Sequence, residues 1–242
     1  MNTVTSNIST LYAENNTAVL TLENGAKNLL TEPEFIEKDV LLGFLSEHPE
    51  VNSLVIRGKG RHFSHGADVS LFFDTSARSS ITEKLEKSRE LLRTIERLPI
   101  LTAAAINGGC FGGGLEIALS CQFRIASPKA YLGLTEIMHG VVPGMGGMER
   151  MQKLLGREKA LMMCLNGDMI TAQQALDCGL ITGISAEKDA FPECMEFVQK
   201  LAEGKSKLQI ECIIQTMNNA LDGAEDPSKG QFEKVLAQIN EG

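Results

Sequence analysis

Apolar positions along the chain follow two periods. Residues 18–22 (AVLTL), 52–57 (NSLVIR) and 100–106 (ILTAAAI) are near-continuous apolar runs. They predict short strands, the last of them buried on both faces. Residues 81–98 place Leu85, Ser88, Leu91, Leu92, Ile95 and Leu98 on one face, with Lys, Glu and Arg opposite, and predict an amphipathic helix closed by Pro99. A similar spacing of Phe35, Ile36, Val40, Leu41, Phe44 and Leu45 predicts a helix that begins at Glu32-Pro33 and stops at His48-Pro49. With a turn at Glu23-Asn24-Gly25 and the start of a further strand at residues 8–12, the first sixty residues read as strand, helix, strand. That order favours a parallel crossover.

Helical spacing returns at 147–155, 157–165 and 171–178, punctuated by Gly156, Gly167 and Gly179, and a short strand is expected at 180–184. From 191 onward only helices are predicted, at 191–202, 206–221 and 227–239. The expected organisation is therefore an α/β portion over residues 1–190 and a helical C-terminal section over 191–242. The Ser-, Thr- and Arg-rich stretch 74–80 reads as an exposed, mobile loop.

Residues 107–147 organise the rest. They read as a strand, a glycine-rich turn, a helix (GLEIALSC), a second strand and a second glycine-rich turn. The first N–H groups of a helix lack intrahelical partners, so the run Gly112-Gly113-Gly114 offers donors to a developing negative oxygen. Glu116 then falls in the first helical turn, and Glu136 follows the second strand. Taken alone, a first-turn Glu is more often a capping residue, and glycine triplets are ordinary turns.

Composition narrows the function classes. A formal charge of −8 argues against nucleic acid or an anionic membrane as the main partner. No apolar run nears the roughly 20 residues of a membrane span, and the polar N-terminus does not read as a secretory signal, so a cytoplasmic location is expected. Six cysteines, none in a CxxC pair, read as reduced apolar filler rather than as metal ligands. No metal site is expected.

With these residues laid out, the chain resembles the crotonase (enoyl-CoA hydratase/isomerase) superfamily. Four motifs occur in that family's order: HFSHGAD, NGGCFGGGLEIALSCQFRIAS, YLGLTEIMHGVVPGMGG and REKALMMCLNGDMITAQQALDCGLI. The resemblance implies an α/β fold, a spiral of ββα units with a helical C-terminal section, assembled as a homotrimer or hexamer. It implies an oxyanion hole from the N–H groups of Ala67 and Gly113, holding the thioester oxygen of an acyl-CoA. Glu116 would orient water and Glu136 act as the main acid/base in hydrating a 2-enoyl thioester. Further substrate contacts would come from Ala26, Asn28, His65, Gly66, Asp68 and Gly112, with the backbone of Ala26 and Asn28 near the CoA adenine. No cofactor is expected, coenzyme A being the substrate carrier. His139 and Arg150 read as packing or surface residues, and Met138, Met145, Met148 and Met151 as core filler or as walls of an acyl pocket.

The sequence departs from the family pattern at Ser70, where hydratases often carry Lys, at Thr135, which replaces a common Pro, and in the weakly basic stretch 23–30. Alternatives are therefore a double-bond isomerase, a dehydratase or decarboxylase acting on a carrier-protein thioester in polyketide assembly, and, from another class, a non-catalytic oligomeric or RNA-binding relative.

Overall fold

The computed structural model describes residues 3–68 and 78–241. Ser70 and positions 74–77 of the predicted loop lie outside the described residues.

Three continuous apolar runs become the centre of the main sheet. These are β3 (Thr17–Leu22), β4 (Ser53–Gly58) and β5 (Leu101–Ile106), hydrogen-bonded in parallel. On one side β2 (Ser9–Glu14) pairs antiparallel with β3, and β1 (Val4–Ser6) with β2. On the other side β7 (Phe123–Ala126) and β10 (Gly183–Ile184) extend the parallel run. Side chains alternate between faces, as a two-residue period requires. Val19, Val55 and Ala103 line up across the sheet and are covered by Cys194, Met195 and Val198 of α7 (Phe191–Ala202). On the opposite face Leu20, Ile56 and Ala104 join the larger core with α1 (Lys38–Glu47), α2 (Arg78–Arg97) and α3 (Gly113–Ser120). β5 is buried at every residue, as its unbroken apolar run predicts.

The helix expected from Glu32 begins only at Lys38. Phe35 and Ile36 are buried as their spacing implied, but in a bent segment. The carbonyls of Glu34 and Phe35 accept hydrogen bonds from Asn7 Nδ2 and Ser9 Oγ, at 2.8 Å each, rather than from a helical turn. Contacts from a distant strand override the local pattern here.

A second, smaller sheet positions the chemistry. β6 (Gly109–Phe111) pairs in parallel with β8 (Tyr131–Gly133), and β8 pairs antiparallel with β9 (Ile170–Thr171). Phe111 lies opposite Gly133, so the residues following the two strands emerge side by side. The Gly112 N–H donates to the Gly133 carbonyl at 2.9 Å and continues that pairing. α3 follows β6, and a 3-10 turn, Glu136–His139, follows β8. α4 (Gly147–Leu155), α5 (Arg157–Asn166), α6 (Ala172–Asp177), α8 (Lys207–Leu221) and α9 (Gln231–Glu241) complete the described chain. No helix among the described residues is long and apolar enough to cross a membrane.

Candidate active site

The strand ends of a parallel pair are where loops converge to form a cleft, and here they converge on Gly112. Its φ of +52° with ψ of −127° suits glycine alone. A side chain there would also begin 3.2 Å from Glu136 Oε1. The bare backbone lets the Glu136 carboxylate lie against the start of α3. Among the described residues, no side chain caps that helix. Its first N–H groups therefore face the cleft with no intrahelical partner.

The 64–67 segment comes alongside. Gly66, at φ +80°, packs so closely that a side chain would begin 2.7 Å from the Phe111 carbonyl and 3.1 Å from the Gly113 nitrogen. The Leu30 N–H donates to the Gly66 carbonyl at 2.9 Å, and Ser64 bridges to Cys110. Ala67 nitrogen lies 3.9 Å from the point where a side chain on Gly113 would begin. The two backbone donors named from the sequence are thus brought together on the wall of one cavity of about 420 Å³.

Glu116 and Glu136 both line that cavity, in unlike surroundings. Glu116 is 2% exposed, and its Oε1 accepts the N–H groups of Met145 and Gly147, each at 2.8 Å. Burial raises its pKa. The N–H groups of Gly147, Met145 and Gly144 and the Arg150 guanidinium pull it back. The Glu136 carboxylate oxygens are both buried, and among the described residues neither has a hydrogen-bond partner. Burial, then repulsion from Glu116, pushes Glu136 up to about 7. Both carboxyls are raised, but only Glu116 has backbone donors and a guanidinium favouring its charged form, while Glu136 is left to hold a proton near neutrality.

A raised carboxyl pKa has a stability consequence of definite sign. Between its ordinary value and about 7, folded Glu136 binds more protons than the unfolded chain, so stability falls as pH rises through that window. Glu136→Gln removes the ionisation. We expect the variant to unfold at least about 2–4 °C above wild type at pH 8 and to match it at pH 5. Thermal scans at the two pH values check this, and equal midpoints at pH 8 would count against a strained Glu136.

Arg150, read as a packing or surface residue, is buried and ion-paired. It is 6% exposed. Its Nε pairs with Glu96 Oε2 at 3.0 Å, and its Nη1 donates to the Met145 carbonyl at 2.8 Å. It therefore fastens the loop whose N–H groups hold Glu116. Glu96 lies 54 positions away, on α2, and no local spacing signals the pair.

The other sequence candidates are placed as follows. Gly66, Asp68, His65 and Gly112 line the cavity, whereas Ala26 is exposed and lines no part of it. Asn28 is fully buried, and its Nδ2 donates to the carbonyls of His62 at 2.9 Å and Lys59 at 3.0 Å. Its own carbonyl accepts from Ser64 Oγ at 2.7 Å, so it shapes the loop leading to Ala67. The His65 ring sits edge-on between His62 and Phe111. Burial, and then the neighbouring positive groups, lower its pKa. Of the four methionines, Met145 lines the cavity and Met151 is core, while Met138 and Met148 are exposed.

The model of the enoyl-CoA hydratase/isomerase family matches residues 12–238. The chain belongs to that family. A probable enoyl-CoA hydratase of Bacillus subtilis is 34% identical over 198 residues, which are 81% of this chain and 77% of that protein. The fatty acid oxidation complex subunit alpha of Shewanella loihica is 32% identical across 94% of this chain, which spans only 32% of that larger protein. Among solved structures, the enoyl-CoA hydratase of Bacillus anthracis superposes with a TM-score of 0.85 at 26% identity, covering 95% of this chain and 91% of the other. DspI of Pseudomonas aeruginosa gives 0.83 at 26%, over 96% and 95%. The expected crotonase fold is thereby established, as α/β with a central sheet. An acyl-CoA thioester is consistent with family members of this kind.

Proposed function

We propose that the protein hydrates the double bond of a 2-enoyl thioester. What carries this reading is the pair of carboxylates on one cavity wall, one held by backbone donors and one raised to about 7. The thioester oxygen sits between the N–H groups of Ala67 and Gly113 and gains charge as water attacks the β-carbon. Glu116, charged, accepts a hydrogen bond from that water. Glu136 supplies the proton that the α-carbon gains, and the proton lost by the water restores the pair. A double-bond shift needs only one such group, so two in unlike states favour hydration over isomerisation. Coenzyme A serves as the carrier, and no further cofactor enters the steps.

The proposal includes self-association as a trimer or hexamer. Leu161 and Leu165 on α5 and Met138 in the 3-10 turn are exposed in the single chain, an apolar surface of the kind that assembly covers. The test is the loss of enoyl-thioester absorbance on adding purified protein to trans-2-enoyl-CoA substrates, with the mass measured by light scattering. Steady loss of conjugation with formation of the 3-hydroxyacyl product supports hydration. A 3-enoyl product would move the reading to isomerisation, and a monomer at working concentration would remove the assembly.

A further inference from the structure

We infer that the acyl group taken by this cavity is an apolar chain clearly longer than the four carbons of crotonyl, about eight to ten, with no carboxylate on its tail. The inference deepens the reading above and rests on it for the identity of the thioester end. A cavity of about 420 Å³ equals roughly fourteen water-sized volumes of about 30 Å³. A four-carbon acyl group and the thiol end of its carrier leave much of that unfilled. Beyond the two glutamates the apolar part of the wall includes Leu30 and Pro33, Ile81 and Leu85 of α2, and Val141 and Met145. The polar part includes Thr31, His65, Asp68, Lys84, Thr135 and His139. α2 is pinned there, since Arg89 Nε donates to the Gly144 carbonyl at 2.6 Å and Leu85 packs on the Gly144 backbone.

The polar groups of the wall decide against a charged tail. Among the described lining residues the one Lys or Arg is Lys84, and its ammonium is paired with Glu32 at 3.0 Å. Arg89 and Arg150 do not line the cavity, and donate to the carbonyls of Gly144 and Met145 and to carboxylates. An acyl group ending in a carboxylate would bring a further negative charge beside Glu116 and Glu136, with no unpaired Lys or Arg among the described lining residues to meet it. The orphaned oxygens of Glu136 mark the reacting end, and the larger part of the remaining surface is apolar.

The test is a substrate series with the intact protein: trans-2-enoyl-CoA thioesters of four, six, eight, ten and sixteen carbons, and glutaconyl-CoA. Each methylene newly buried is worth about fourfold in kcat/KM. We expect at least a tenfold rise from four to eight carbons, a plateau by ten, and glutaconyl-CoA at least a hundredfold below 2-hexenoyl-CoA. Leu85→Phe, which fills the wall, should lower the ratio of eight- to four-carbon activity at least tenfold. Crotonyl-CoA as the best substrate, or an unchanged ratio in the variant, would overturn the inference. Calorimetric binding of saturated octanoyl-CoA and butyryl-CoA separates it from the reaction. Tighter octanoyl binding by tenfold or more with no hydration leaves the acyl inference standing and removes the hydratase. Equal binding of the two, with no hydration, removes the acyl inference as well.

Discussion

Glu136→Gln is expected to lower kcat/KM for hydration by about 10²–10⁴-fold, the range for losing a positioned acid/base. The amide keeps the size and place of the side chain against Gly112 and leaves the Ala67 and Gly113 donors untouched, so the loss should fall on kcat rather than on KM. In wild type the same group sets the alkaline limb of the pH profile. Activity that needs protonated Glu136 falls as pH rises through about 7, and the variant's residual rate should lack that limb. Steady-state kinetics from pH 5 to 9 measures both. A loss smaller than tenfold would take the acid/base role away from Glu136. Set beside the expected rise in melting temperature at pH 8, the substitution exchanges function for stability.

Arg150→Met should carry the largest effect on stability. Removing one partner of a buried ion pair costs about 3–5 kcal/mol, or roughly 6–20 °C in melting temperature for a chain of this size. Lys153, 3.4 Å from Glu96, can take up part of the freed charge, which places the expectation at the lower end. Activity should fall for a separate reason. Without the guanidinium, the Met145–Gly147 turn is less firmly held and Glu116 loses a positive neighbour that depresses its pKa. The acid limb of the kcat/KM profile should then move to higher pH. Arg150→Lys keeps the charge but cannot make both hydrogen bonds. It should return the limb toward its wild-type position without returning the full melting temperature. A profile unmoved in Arg150→Met would reduce the residue to packing alone.

What could be read in advance follows the range of the interactions responsible. β5 was legible because seven consecutive apolar or small residues have no other soluble arrangement. The C-terminal boundary of α2 was legible within one residue because Pro99 stops any helix there. α8 begins one residue after Ser206 because that side chain and Gln209 form a reciprocal cap, a purely local device. The premature helix start at Glu32 has the opposite origin, since Asn7 and Ser9, far away in sequence, take the carbonyls a helix would have used. β1 and β9 escaped notice because three polar-flanked residues and two residues carry almost no periodic signal. At the site, motif order pointed to Glu116, Glu136, Ala67 and Gly113, and the structure gathers all four on one cavity. The unlike states of the glutamates were not legible. They depend on Arg150, on Glu96 across 54 positions, and on burial, which a linear sequence does not display.

The parallel pairing of β6 with β8 also governs how the gene can change in length. Glu136 meets Gly112 because Phe111 stands opposite Gly133 and two residues, Leu134 and Thr135, separate that rung from the Glu. One residue inserted or deleted between Tyr131 and Glu136 would shift the 3-10 turn relative to the β6–β8 rung and carry the carboxylate away from the helix start. The same change in the turn at residues 128–129, whose backbone is exposed and ahead of the paired rungs, would leave the alignment intact. Lineages of this chain are therefore expected to vary in length before Tyr131 and to keep the count fixed from there to Glu136.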